Sequence, residues 1–343
     1  MKFIRFLLFP FAIIYDLITS IRNSFFNVGI FKQTSFKLPI VVVGNLSVGG
    51  TGKTPQIEYL IRLLKDIYKI SVLSRGYKRK TDGFVLLNSS HSAENVGDEP
   101  LQYYKKFKNI NVAVDANRVA GIQNLLIHKS PEVILLDDAF QHRKVKGSFY
   151  ILLTKYNDLF VDDYLLPTGN LRESSKGANR ADIILVTKCP KNLSKEEQSS
   201  IKEKLKKYHK GVYFTTISYA EKLAGSHQLS MDELKEYEIL LITGIANPKP
   251  LTDFLSDKEI RFQHLKFADH HHFSNKEINS IQHEIETIKA SKKLILTTEK
   301  DYVRLEEKLK EVSFLSIETT FLDNSGSSFN SLVKNHIQQN QRC

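Results

Sequence analysis

A glycine-rich stretch followed by lysine and threonine is the part of the sequence best suited to binding phosphate. It reads Ser47-Val48-Gly49-Gly50-Thr51-Gly52-Lys53-Thr54. Glycines let successive backbone N–H groups point inward at an anion, and a helix beginning here would add the positive charge of its N-terminus. The Lys53 ammonium would then reach the β- and γ-phosphates of a nucleotide, and the Thr54 hydroxyl would bind Mg²⁺. The strict motif has glycine where Ser47 stands, so an ordinary strand-to-helix turn is the alternative.

Two aspartates that follow an apolar segment could complete a metal site. Asp137 and Asp138 come directly after residues 133–136, which have the composition of a buried strand. In P-loop proteins an Asp in this position helps to hold the Mg²⁺ that accompanies the nucleotide. The alternative is that these residues only shape a turn, where Asp is common.

Other polar residues are candidates for proton transfer or phosphate binding. Asp98 stands at the start of a predicted helix, where it is either an N-cap or the carboxylate that accepts a proton from an attacking hydroxyl. His270 begins a run of three histidines after Asp269. Consecutive side chains do not face one point, so we interpret this run as orienting another catalytic group rather than as a zinc site. Arg172 and Glu173 could reach phosphate, metal or substrate.

Alternating apolar segments predict the elements that position these residues. Such alternation is typical of an α/β fold, with a parallel sheet flanked by helices and with ligands at the carboxyl ends of the strands. The predicted strands are 40–43, 70–74, 111–114, 133–136, 149–154 and 182–187. The predicted helices are 54–65, 99–107, 117–128 and 194–208.

A second set of segments predicts a smaller α/β domain. Residues 221–238 are expected to be a connection, followed by strands at 239–243, 293–298 and 313–317 and helices near 249–256 and 275–289. The tail from 324 on is polar, and its last residues, 338–343, are expected to be frayed. The expected boundaries are therefore 1–36 for an N-terminal helix, 37–224 for the P-loop domain and 225–330 for a smaller domain that closes over the nucleotide.

The N-terminal segment combines apolar and basic residues. Residues 6–15 form an apolar run that is too short to span a bilayer, and an apolar stripe continues beyond it. Pro10 is expected to start or kink this helix. A basic amphipathic helix rich in Phe is typical of membrane-surface binding, and the alternative is a helix packed on the domain core.

Charge and cysteine content limit the class of protein. The 343-residue chain has a net charge of +11, which favours an anionic partner: a nucleotide, a nucleic acid or an acidic lipid surface. The only cysteines are Cys189 and Cys343, so a disulfide framework is excluded and a reducing cytosol is expected.

Seven motifs occur in a fixed order along the chain. They span residues 44–55, 73–77, 97–100, 137–142, 166–173, 267–271 and 298–301. This ordered set resembles the tetraacyldisaccharide 4′-kinase family, the lipid A 4′-kinases. The resemblance implies ATP-dependent phosphorylation of the 4′-hydroxyl of tetraacyldisaccharide 1-phosphate, giving lipid IVA. It also implies a peripheral enzyme on the cytoplasmic face of the inner membrane, with no nucleic acid partner.

The resemblance also implies roles for the candidate residues. Loop residues 47–54 match the nucleotide-binding positions, with Lys53 and Thr54 at the phosphate and Mg²⁺, and Asp137 and Asp138 match the metal-binding acids.

The same comparison gives Asp98 the role of catalytic base with His270 as its partner, and it places Arg172 and Glu173 near the reacting phosphate. Ala139 stands where many relatives are expected to have glycine.

Two other classes of nucleotide-binding protein fit less well. Membrane-associated ATPases of the positioning type carry lysine directly before the Gly-Gly pair, where this chain has Val48. A GTPase would need an Asp after residues 187–189, and Pro190 occupies that position.

Overall fold

The structure is a computed structural model that describes residues 5–208 and 210–341. Nine strands form the larger sheet, in the order β14-β8-β7-β6-β1-β5-β2-β4-β3. All neighbours are parallel except the edge pairs β3–β4 and β8–β14. The strands are β1 (Ile40–Asn45), β2 (Ile70–Ser74), β3 (Val85–Leu86), β4 (Asn111–Val114), β5 (Val133–Asp137), β6 (Phe149–Lys155), β7 (Ile183–Thr187), β8 (Gly211–Tyr219) and β14 (Ile317–Phe321).

Helices cover both faces of this sheet, which explains why its central strands are continuously apolar. Val41 and Val43 of β1 belong to the core on one face, and Ile40 and Val42 belong to the core on the other, as the two-residue period of a strand requires. The helices before the second unit are α1 (Phe9–Asn27), α2 (Lys53–Leu64), α3 (Ala93–Val96), α4 (Asp98–Lys106), α5 (Arg118–Lys129) and α6 (Lys195–Leu205).

A five-stranded sheet, in the order β11-β10-β12-β13-β9, forms the second unit. It is parallel except at β9. Its strands are β9 (Ala224–Gly225), β10 (Glu238–Thr243), β11 (Phe262–Lys266), β12 (Lys293–Thr298) and β13 (Val312–Leu315). Its helices are α7 (Met231–Leu234), α8 (Lys249–Asp257), α9 (Asn275–Thr287) and α10 (Glu299–Leu305). The predicted α/β fold with a second, smaller α/β unit is confirmed.

The C-terminal segment differs from the sequence-based expectation. The sequence predicts a smaller domain up to residue 330 and a polar tail from 324 on, but β14 pairs with β8 and helix α11 (Gly326–Gln341) packs on the larger sheet. Only a few of its residues are apolar, yet Phe329, Val333 and Ile337 recur at four-residue spacing and are buried. The expected connection at 221–238 also contains structure, namely β9 and α7.

Helix α1 has an unusual orientation, because its apolar side is the exposed one. Pro10 lies in its first turn and so starts the helix rather than kinking it. Only Ala12 and Phe26 of α1 are buried. Its exposed large apolar residues are Phe9, Phe11, Ile13, Ile14, Leu17, Ile18, Ile21 and Phe25. Within residues 5–208 and 210–341, no helix has the length and apolar character needed to cross a bilayer.

The burial of α11 generates a stability prediction. Phe329 is fully buried against the rings of Tyr59, Tyr213 and Phe321. Phe329→Ala should lower the free energy of unfolding by about 3–5 kcal/mol, since it leaves a cavity. The matched control is Leu332→Ala, an exposed position on the same helix, which should change it by less than about 0.5 kcal/mol. Equal effects in urea unfolding would contradict the packing of α11.

Candidate active site

The P-loop connects the carboxyl end of β1 to the first residue of α2. Two of its glycines, Gly49 and Gly52, have positive φ angles of 98° and 86°, which residues with a side chain rarely adopt. Gly52 is the N-cap of α2, so the helix begins at Lys53, one residue before the predicted start. The Val48 N–H is already used, because it donates to the Asn170 carbonyl at 2.8 Å.

Contacts at both ends anchor the remaining residues of the loop. Ser47 pairs with Leu171 through an isolated β-bridge. Thr51 is buried, and its carbonyl accepts a hydrogen bond from the Thr187 hydroxyl at 2.8 Å. Gly50 lies between these two anchored ends, in open space beside the side chain of Lys188. The loop is thus attached to β7 on one side and to residues 170–172 on the other.

Asp138 is the point where two cationic side chains meet. The Lys53 ammonium lies 3.4 Å from Asp138 Oδ1, and the Arg172 guanidinium lies 3.3 Å from the same oxygen. Lys53 also donates to Asn45 Oδ1 at 3.2 Å. Burial alone would raise the pKa of Asp138, but Lys53 and Arg172 together hold it below its ordinary value.

Asp137 occupies a different environment from its neighbour. It is the last residue of β5, pairs in register with Val43, and is buried. Its Oδ2 lies 3.2 Å from the Ser74 hydroxyl and 3.4 Å from the Tyr103 hydroxyl. Burial, with repulsion from Asp138 and Glu99, raises the pKa of Asp137 to about 6. A cation bound beside Asp137 would offset this repulsion and stabilise the ionised carboxylate.

Glu173 is close to this centre but is enclosed by donors. It is only 1% exposed. Its Oε1 accepts from Arg180 at 2.7 Å and from Gln141 at 3.1 Å, and its Oε2 accepts from Asn23 of α1 at 2.7 Å. The structure therefore does not bring the Glu173 carboxylate into contact with Lys53 or Arg172, although the preceding residue reaches Asp138.

Asp98 and His270 come from different units and meet directly. Asp98 is the first residue of α4, and its Oδ2 lies 2.7 Å from His270 Nδ1. Arg304 of α10 donates from Nε to Asp98 Oδ1 at 2.7 Å and from Nη2 to Oδ2. Lys300, one turn earlier on α10, lies 2.9 Å from His270 Nε2. Arg304 Nη2 also lies 3.1 Å from His270 Nδ1, so this nitrogen contacts both the Asp98 carboxylate and a guanidinium.

This arrangement fixes the charge of Asp98. Burial would raise its pKa, but the hydrogen bonds from His270 and Arg304 outweigh that effect and lower the pKa to about 2. Asp98, Glu99 and His270 lie close enough together to resemble a metal site. Lys300 lies 3.3 Å from Glu99, and Arg304 contacts Asp98, so cations of the protein already neutralise this group. The absence of zinc spacing in the sequence agrees with this interpretation.

Sequence reasoning missed the residues that support the candidates. Arg304 and Lys300 lie four residues apart on one face of α10. Nothing in the sequence connects either residue to Asp98, and Arg304 is 206 residues away from it along the chain. Tyr103 is fully buried on the helix that begins at Asp98. The only sequence signal for it is its position on the apolar face of that helix. Asn23 lies in a segment for which the sequence predicts membrane-surface binding or packing on the core, without a role for any single polar residue.

Comparisons with known proteins agree on one family. A family model described as tetraacyldisaccharide-1-P 4′-kinase matches residues 4–338. The tetraacyldisaccharide 4′-kinase of Flavobacterium johnsoniae is 53% identical, over 99% of this chain and 99% of the relative. That of Bacteroides thetaiotaomicron is 43% identical, over 98% of this chain and 94% of the relative. LpxK from Aquifex aeolicus, solved in complex with ATP, has a TM-score of 0.79 at 29% identity, covering 97% and 99% of the two chains.

The low pKa of Asp98 generates a prediction about acid stability. A carboxyl whose pKa falls from 3.8 to about 2 on folding stabilises the native state above pH 4, and this contribution is lost as the pH falls towards 2. Asp98→Asn should therefore be less stable than the parent at pH 7, by about 2 kcal/mol. The difference should shrink between pH 4 and pH 2, as measured by urea unfolding. Asp66→Asn, at an exposed position, is the control and should show neither effect. A difference that is independent of pH would contradict the assigned ion pair.

Proposed function

The chain belongs to the tetraacyldisaccharide-1-P 4′-kinase family, so it transfers the γ-phosphate of ATP to the 4′-hydroxyl of tetraacyldisaccharide 1-phosphate to form lipid IVA, and we propose how its residues divide this work. The observation that carries the proposal is the meeting of Lys53 and Arg172 at Asp138, beside the P-loop. Both cations lie where the terminal phosphates of a nucleotide would develop charge.

Residues of the P-loop hold the nucleotide in this proposal. The N–H groups of residues 49–54 surround the phosphates, and the helix dipole of α2 adds to their field. Lys53 exchanges its Asp138 partner for the γ-phosphate, and Arg172 contacts the same group. Asp138, freed of Lys53, then becomes available as a ligand.

The residues present fit a divalent cation. Thr54 offers a hydroxyl at the start of α2, and Asp137 and Asp138 offer carboxylates at the end of the neighbouring strand, the donor set that Mg²⁺ takes in P-loop proteins. Burial is the main cause of the raised pKa of Asp137, with repulsion from Asp138 and Glu99 added, so a bound cation would stabilise the ionised form of Asp137. When bound, Mg²⁺ would supply positive charge that offsets the negative charge of the phosphates.

The Asp98–His270 pair receives the proton of the acceptor hydroxyl. Asp98 is ionised at neutral pH, and His270 lies within hydrogen-bond reach of it. Arg304 and Lys300 fix both side chains in place, so the pair is oriented before the sugar arrives. Asp98 belongs to the larger unit and His270 to the smaller, so the pair already joins the two units, and further closure over ATP would exclude water from the site.

Helix α1 provides the contact with an anionic membrane surface. Its exposed apolar residues and the net charge of +11 suit a lipid interface, and they make a nucleic acid partner unnecessary to explain the charge. A P-loop kinase needs cytosolic ATP, and its lipid acceptor stays in the bilayer. We therefore place the enzyme peripherally at the cytoplasmic face of the inner membrane.

The central test is the reaction itself. Purified protein with MgATP and tetraacyldisaccharide 1-phosphate should yield a product heavier by one phosphoryl group in mass spectrometry. Lys53→Ala should remove nearly all turnover, because it deletes the cation that offsets charge on the γ-phosphate. Lys191→Ala, at an exposed position, is the matched control and should behave as the parent.

The same assay tests the proton acceptor. Asp98→Asn should lower turnover by about a hundredfold or more at unchanged ATP affinity, the range expected for loss of a general base. Near-parent turnover in folded Lys53→Ala protein would refute the P-loop assignment, and near-parent turnover in Asp98→Asn would remove Asp98 from the chemistry.

Membrane binding has its own test. The double variant Ile14→Ser with Ile18→Ser replaces two exposed apolar residues of α1. It should reduce co-sedimentation with vesicles containing phosphatidylglycerol, because less apolar surface of the helix can be buried in the lipid. ATP binding should not change. Ile127→Ser, at an exposed position on α5, is the control. Unchanged co-sedimentation of the α1 variant would show that the exposed face of α1 does not contact lipid.

A further inference from the structure

The polar face of α1 is attached to the loop that carries the active-site arginine. The Tyr15 hydroxyl donates to the Arg172 carbonyl at 2.9 Å, and Arg22 donates to the Gln141 carbonyl at 3.1 Å. Arg143 donates in turn to the Asn23 carbonyl at 2.8 Å. Helix α1 thus presents its apolar side outward and its polar side to the residues around the P-loop.

The most specific of these contacts is made by Asn23. Its amide Nδ2 donates to Glu173 Oε2 at 2.7 Å, while Arg180 and Gln141 occupy Oε1. Among the residues that the structure describes, no other side chain donates to Glu173 Oε2. Because Glu173 is 1% exposed, water cannot replace a donor that is removed, and an unpaired buried carboxylate oxygen is costly.

A continuous series of hydrogen bonds leads from this contact to the P-loop lysine. Gln141 Nε2 has two N–H bonds, one directed at Glu173 Oε1 and the other at the Asn45 carbonyl, at 3.1 and 2.8 Å. The Asn45 side chain accepts from Lys53 at 3.2 Å. Each member of the series therefore restricts the orientation of the next.

We propose that Asn23 is a positioning residue for phosphoryl transfer, which through Glu173 and Gln141 orders Asn45, Lys53 and the neighbouring Arg172. The proposal rests on the proposed function and adds to it that α1 is part of the active-site scaffold as well as a surface for lipid. Glu173 acts in it as the junction of the series, through its two carboxylate oxygens. A helix seated on the bilayer would then hold the catalytic loop in register with its lipid acceptor.

Steady-state kinetics distinguish positioning from anchoring. Asn23→Asp places a second carboxylate against Glu173, and we expect it to lower kcat by about tenfold or more, since misplacement of catalytic groups by about an ångström has costs of this order. The KM for ATP and co-sedimentation with phosphatidylglycerol vesicles should stay at the parent values. Ser20→Ala is the matched control, because this exposed residue of α1 bonds only within the helix, to Asp16.

A swap tests the contact itself. In the double variant Asn23→Asp with Glu173→Gln, the amide at position 173 donates to the carboxylate at position 23, so the hydrogen bond is restored with donor and acceptor exchanged. The double variant should therefore recover part of the lost kcat. Losses that multiply in the double variant would overturn the proposal, as would a kcat equal to that of the parent in folded Asn23→Asp.

Hydrogen exchange gives a readout that needs neither ATP nor lipid. Amides of residues 44–54 and 170–174 should exchange faster in Asn23→Asp and in Asn23→Ala than in Ser20→Ala, because the series of bonds that orders them is broken. Unchanged exchange would overturn the proposal. If the parent failed to phosphorylate the lipid, the proposed function would be refuted, while faster exchange in the Asn23 variants would still establish the structural link.

Discussion

Neutralisation of Asp138 is the interaction on which the arrangement of the active site depends. Lys53, at the end of the P-loop, and Arg172, in the segment bonded to the loop, converge on one carboxylate, so the loop, the end of β5 and residues 170–172 are held together before nucleotide is bound. A nucleotide brings its own negative charge and can take over both cations. In the proposed function the same two side chains stabilise the free protein and also bind the phosphates.

A second concentration of charge joins the two units. Arg304 contacts Asp98, and Lys106 of α4 bridges Glu58 on the P-loop helix and Glu299 on α10, at 2.7 and 2.8 Å. Removing one member of such a buried set leaves the others unpaired, which costs far more than the loss of a surface ion pair. The proton acceptor and the P-loop helix are therefore positioned against each other through α4 and α10.

The parts of the site that lie close in the sequence could be predicted, and the parts assembled over long separations could not. Lys53 could be predicted from the glycine-rich loop that precedes it, and Asp138 from the apolar strand that ends just before it. Arg304 meets Asp98 only because the smaller unit folds over α4. The polar composition of 324–341 predicted a tail, although three apolar residues at four-residue spacing suffice to bury one side of α11. The contact of Asn23 with Glu173 depends on the orientation of α1, which an amphipathic pattern does not specify.

The return of β14 and α11 to the larger sheet has a consequence for biosynthesis. The smaller unit is an insertion between β8 and β14, two strands that pair with each other, so the chain leaves and re-enters the larger unit at adjacent points. During translation the larger unit lacks an edge strand and part of its core until residues 317–341 have left the ribosome. The inserted unit emerges complete before that moment, so it can reach its native state first, and the catalytic unit, although it begins at the N-terminus, is the last to finish folding.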